Sequence, residues 1–145
     1  MKVLLATTCL LLLATSTVQA SEWKKSWAQG VTEYRLQGEG QSSLYFGCDP
    51  NANTFVQVTD AQGKSISSLD EGRSVYASVD GKPSLLINDT FSDAGSSAFV
   101  QLWKQLRVGK NVVLTADNLQ STRLTLSGAA HVLPKLDASD CRVMQ

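Results

Sequence analysis

Ser92-Asp93-Ala94-Gly95-Ser96-Ser97-Ala98-Phe99-Val100-Gln101-Leu102-Trp103-Lys104-Gln105-Leu106-Arg107-Val108-Gly109 is the stretch on which the rest of the chain is organised. Phe99, Leu102, Trp103 and Leu106 stand at i, i+3, i+4 and i+7, so a helix would gather them into one apolar face. Ser92 is placed to cap the first free amides, and Asp93 sits where the helix dipole favours an anion. Lys104 and Arg107 occupy the last turns, and Gly109 is expected to end the helix in the left-handed conformation. The spacing therefore predicts one amphipathic helix over about 93–108.

Working outward, the period changes from 3.6 to 2. Lys110–Ala116 and Leu119–Ser127 read as a hairpin across Asp117-Asn118, with Leu124 and Leu126 inward and Arg123 and Thr125 outward. Upstream, Val31–Gln37 carries Tyr34 and Leu36 on one face. Gln41–Cys48 carries Leu44, Phe46 and Cys48 on one face, after a Gly38-Glu39-Gly40 turn. Thr54–Thr59 pairs with Lys64–Ser68 through Asp60-Ala61-Gln62-Gly63. In Arg73–Val79, Val75, Ala77 and Val79 alternate with polar positions, and Asp80-Gly81 is the strongest two-residue turn signal. Pro83 cannot donate to a ladder and marks an edge or a strand start ahead of Leu85-Leu86-Ile87, which reads as a short buried run. Ser127–Leu133 is expected to form a short C-terminal helix ended by Pro134. The sum is a mainly β chain: an antiparallel β-sandwich or partly open barrel of seven or eight strands, carrying one main helix and a short C-terminal one.

The beginning of the chain has a different character. Met1-Lys2, an apolar run over Val3–Ala14, a polar Thr-Ser-Thr stretch and Val18-Gln19-Ala20 together have the form of a secretory signal peptide cut after Ala20. The run is short for a membrane span, and Cys9 within it is counted as removed. The remainder, 21–145, is about 125 residues and reads as a single β-rich domain. Without Lys2 it holds 12 basic and 13 acidic residues and no run of like charge, so nucleic acid is not an expected partner and no integral membrane segment remains. Cys48 and Cys141 are then an even pair in an exported chain, read as one disulfide and not as metal ligands or redox thiols, since there is no Cys-x-x-Cys spacing.

The sequence offers no constellation for catalysis or for a metal or cofactor. His131, the one histidine, lies among Ala129, Ala130, Val132 and Leu133, and is read as structural or surface. Asp60, Asp70, Glu71, Asp80, Asp89 and Asp93 all sit in or beside turns, where side-chain capping accounts for them. Trp23 and Trp27, four apart with lysines between them, share a face on a helix or on a strand. They are the candidate partner-binding residues, with coverage of the core edge as the plainer reading.

The order of features from Leu44-Tyr45-Phe46-Gly47-Cys48, through Val79-Asp80-Gly81-Lys82-Pro83, the 99–106 helix and Gly109-Lys110-Asn111-Val112-Val113-Leu114, to Thr125-Leu126-Ser127-Gly128-Ala129 and Cys141 resembles small exported envelope proteins of Gram-negative bacteria. The patterns it is similar to are the type VI secretion accessory family typified by VasI and the invasion-associated locus B family. The resemblance implies a periplasmic, non-enzymatic accessory or binding protein that works on a protein partner in the cell envelope. The alternative from another class is a periplasmic inhibitor or immunity protein acting on an envelope hydrolase or toxin. That reading calls for a protruding loop, for which Ser92–Ser97 and Asp49–Asn53 are the candidates.

Overall fold

The computed structural model describes residues 20–87 and 89–143. The signal-peptide reading and Cys9 lie outside the described residues. Those residues form two antiparallel sheets, and their apolar faces share one core.

The first sheet is a meander of β1 (Glu22–Ala28), β2 (Val31–Gln37), β3 (Ser43–Cys48), β4 (Phe55–Thr59) and β5 (Ser65–Ser67), each strand pairing with the next. Strand β1 settles the open question of the tryptophan segment: it is extended, and Gln29 and Gly30, both at positive φ, turn it back onto β2 in a two-residue hairpin. The expected faces hold, with Tyr34 opposite Phe46 and Leu36 opposite Leu44, all four buried. Asp60 closes the β4–β5 turn by accepting the amides of Gln62 and Lys64.

The second sheet runs in the order β7-β6-β8-β9, from β6 (Val75–Val79), β7 (Leu85–Leu86), β8 (Asn111–Ala116) and β9 (Thr122–Thr125). Val75, Ala77 and Val79 point inward as their alternation requires. The Leu85-Leu86-Ile87 run differs from its expected burial: only Ile87 is buried, Leu85 is half-buried and Leu86 is exposed. This segment is the sheet edge just after Pro83, so it alternates like any half-covered strand.

Helix α1 (Asp93–Val108) joins β7 to β8 and fills the space between the sheets. Its predicted stripe is the buried one, with Phe99, Leu102, Trp103 and Leu106 at most 1% exposed. Trp103 meets Tyr34 edge-on at 5.4 Å and Phe46 at 5.4 Å, while Phe99 meets Phe46 at 5.6 Å, so aromatic rings from β2, β3 and α1 form the centre of the core. Ser92 caps the helix by accepting the Gly95 amide at 3.0 Å. The stop at Gly109 is not left-handed: φ is −78° and ψ 171°, because the chain passes straight into β8. Glycine is needed for another reason, since a Cβ there would run into Val79 Cγ1 and the Gln105 carbonyl.

A short helix, α2 (Ala129–Val132), comes after β9, opened by Gly128 at φ 79° and closed before Pro134. The chain then makes a 3-10 turn at Leu136–Ala138 and returns to the first sheet, where Cys141 bonds Cys48 with Cα atoms 4.3 Å apart. Thr54 holds the same segment by donating its amide and hydroxyl to the Arg142 carbonyl. At the far end of the fold Ser21 and Asp60 reach Thr125 and Gln120, drawing the first sheet toward the β9 edge of the second.

Candidate functional site

The two tryptophans share the inner face of β1, as expected, but the strand outruns the core and separates them. Trp23, opposite Leu36, is 7% exposed and belongs to the core; Trp27, opposite Thr32 at the strand's end, is 71% exposed. Between them Lys25 places its ammonium 5.6 Å from the centre of the Tyr34 ring. No backbone hydrogen bond among the described residues leaves β1 for any strand but β2, so the other ladder of this seven-residue strand is unpaired, with α2 packed beside the strand. Its outward face is fastened by Glu33, which accepts from Ser26 at 2.7 Å and from Tyr45 at 2.8 Å. Those two hydroxyls hold the Glu33 carboxyl below its usual range, and burial together with the Glu33 bond pushes Tyr45 up to about 12.

The C-terminal segment builds a second feature that the sequence did not reveal. Pinned by the Cys48–Cys141 disulfide, it runs alongside α1 and leaves a groove of about 660 Å³. Val100, Leu136 and Val143 supply its apolar surface, with the buried Trp103 and Cys141 beneath them. Lys104 and Arg107 stand on the helix wall, Lys135 and Arg142 on the other, and Asp137 is the one carboxylate among the lining residues. Both walls are held by side-chain bonds to backbone: Trp103 Nε1 donates to the Pro134 carbonyl at 2.9 Å, Arg107 Nε to that of Leu133 at 2.9 Å, and Arg142 Nε to that of Pro50 at 3.1 Å. Among the described residues the one ion pair within 4 Å is Lys24 with Glu22, so none of the four groove cations is neutralised by direct contact with a described carboxylate. The cations on α1 were legible only as helix-end residues. Nothing in the spacing says that Lys135 and Arg142 come to face them.

The groove and β1 are linked through the core. Trp103, which lines the groove, packs on Tyr34, and Tyr34 lies under Lys25. Thr32, the cross-strand partner of Trp27, donates its hydroxyl to Asp140 at 2.7 Å, tying this end of the sheet to the C-terminal segment. Burial raises the Tyr34 phenol, and the Asp140 charge raises it further.

The other residues weighed for chemistry either lie exposed or fasten turns. His131 is exposed on α2, beside a shallower concavity that also takes in Ser127, Lys110 and Asn111; among the described residues lining it there is no carboxylate to orient the imidazole. Asp80 accepts the amides of Lys110 and Asn111, and Asp89 those of Phe91 and Ser92. Asp60 accepts the Gln120 amide besides its own turn, and Asp70 that of Ser67. Backbone bonds hold Asp80 below its usual pKa; at Asp60 and Asp89 burial pushes upward and the bonds outweigh it. These four carboxylates are turn fasteners. Among the described residues no three His, Cys, Asp or Glu side chains cluster as a metal site would require, and no helix is long and apolar enough to cross a membrane. Of the two candidate loops, Ser92–Ser97 is the cap and first turns of α1, whereas Asp49–Asn53 is a largely exposed turn tied down through Pro50.

No curated protein and no solved structure matches the chain. A family profile does, over residues 21–133, which takes in every strand, both helices and the helix wall of the groove: the chain belongs to the YfjT family.

Proposed function

We propose that this is a non-catalytic accessory or binding protein, exported to the periplasm through removal of residues 1–20, that works by contact with a protein partner of the cell envelope. The observation that carries the reading is Trp27. A large aromatic side chain, 71% exposed, stands at the end of an edge strand whose outer ladder is open, and tryptophan in that position is a common anchor for a partner. Lys24 and Lys25 on the same strand oppose indiscriminate edge-to-edge pairing, which favours one partner over self-association. The Cys48–Cys141 bond and the leader-like composition of the first twenty residues support the address. On this reading the partner belongs to the envelope machinery served by the secretion-accessory families that the residue order resembles.

The test is capture of partners from periplasmic extract on the oxidised chain, with Trp27→Ala and Trp23→Phe alongside. A specific envelope protein should be retained by the wild type and by Trp23→Phe, which keeps a large apolar ring in the core, and lost with Trp27→Ala. Equal capture by Trp27→Ala would remove the strand from the contact.

A further inference from the structure

We propose that the groove between α1 and the C-terminal segment is a binding site for an extended acidic peptide segment, one whose carboxylates alternate with apolar side chains. The inference rests on the reading of a protein partner and gives that partner a chemistry.

Charge is the first argument. On a chain with equal numbers of acidic and basic residues, four cations face one groove that holds a single carboxylate, and none of them is in an ion pair with a described residue. Such a surface attracts anions and is selective against cations. Shape is the second. The cations stand on two opposite walls and do not converge on one point, and two of them, Arg107 and Arg142, already spend their Nε donors on backbone carbonyls. A lone phosphate would need donors converging within hydrogen-bond distance of one centre. A segment lying along the groove can place one carboxylate toward Lys104 and another toward Lys135. The apolar surface is the third argument, since the half-buried Val100, Leu136 and Val143 offer contacts that a small inorganic anion cannot use and that leucine-sized side chains can. The walls are also fixed in advance by the disulfide and by the Trp103 and Arg107 bonds, so little ordering accompanies binding.

The probe is a fluorescein-labelled decapeptide of alternating glutamate and leucine, titrated by anisotropy against the full oxidised chain, with a lysine-for-glutamate version beside it. The acidic peptide should bind and the basic one should not, and affinity should fall with added salt. Lys104→Glu with Lys135→Glu should weaken binding at least tenfold, while Lys64→Glu, which lies outside the groove, should leave it within twofold. A near-ultraviolet circular dichroism spectrum matching the wild type secures the fold of each variant, and Lys104→Ala with Lys135→Ala replaces the double charge reversal if that spectrum changes. No binding of the acidic peptide, or an equal loss in Lys64→Glu, overturns the proposal. Displacement by equimolar inorganic phosphate would make the groove a small-anion site, and tighter binding to anionic phospholipid vesicles would make it a lipid site; either also overturns it. Peptide binding and Trp27-dependent capture are read separately, so one can fail without the other.

Discussion

The disulfide is the strongest single constraint that can be removed without touching the core rings. Cys48 and Cys141 are 93 positions apart, and a loop of that size closed in the unfolded chain is worth about 4.6 kcal/mol at 25 °C in the chain-entropy description. For a domain of about 125 residues, with an unfolding entropy near 2.1 cal/mol/K per residue, that corresponds to a fall in Tm of about 15–20 °C. The native state gives little of this back. The last segment, 135–143, forms one 3-10 turn, and apart from the bond it is held by Thr54 to Arg142, Thr32 to Asp140 and Arg142 to Pro50, and by Leu136 and Val143 packed against the core. Reduction should therefore lower global stability and release the outer wall of the groove. The assay is urea unfolding of the oxidised chain and of the same chain in excess phosphine, with amide exchange followed at Thr54, whose N–H donates to the Arg142 carbonyl. A lower midpoint on reduction, together with faster exchange at Thr54, is the expected result. Curves that agree to within about 1 kcal/mol would refute the loop-entropy reasoning, and unchanged exchange at Thr54 would refute the claim that the bond holds this wall.

Gly109→Ala should cost about 1–3 kcal/mol in the same denaturation assay, because the added methyl meets Val79, Gln105 and Leu126 on an otherwise permitted backbone. Gly109→Asn, which a left-handed helix cap would tolerate, should lose at least as much. Acid should destabilise the fold through its turn carboxylates and through Glu33 on β2. Asp60, Asp80, Asp89 and Glu33 are all depressed, so their contribution is complete above their unfolded pKa values, near 4, and disappears as pH falls through the folded ones. Urea midpoints should be flat from pH 7 to about 5 and fall below that, and Asp60→Asn should flatten the acid limb; a midpoint rising on acidification would contradict the assignment.

Much of this architecture could be read from periodicity alone, because each element had a local reason to form. The 99–106 stripe, the Tyr34–Phe46 and Leu36–Leu44 faces, and the turn at Asp60–Gly63 were fixed by neighbours within a few positions. What was not legible depended on where separate elements end in space. Trp23 and Trp27 carry the same signal and the same strand face, yet one is core and the other exposed, since only the reach of the opposing layer decides which. Gly109 looked like a helix stop and is instead a point of close approach to Val79. The groove shows this most plainly. Lys104 and Arg107 had a sufficient local role at the end of a helix, and Lys135 and Arg142 had none, so no spacing joined them. The pairing of Cys48 with Cys141 was the one long-range constraint in the sequence, and it already implied that the chain beyond Pro134 must return to β3. Because Phe46 on β3 packs against Trp103 of α1, a segment fastened to β3 is brought beside that helix, and its basic residues come with it. The same bond that stabilises the fold therefore also sets the width of the groove, and reduction should weaken peptide binding even under conditions where the two sheets remain folded.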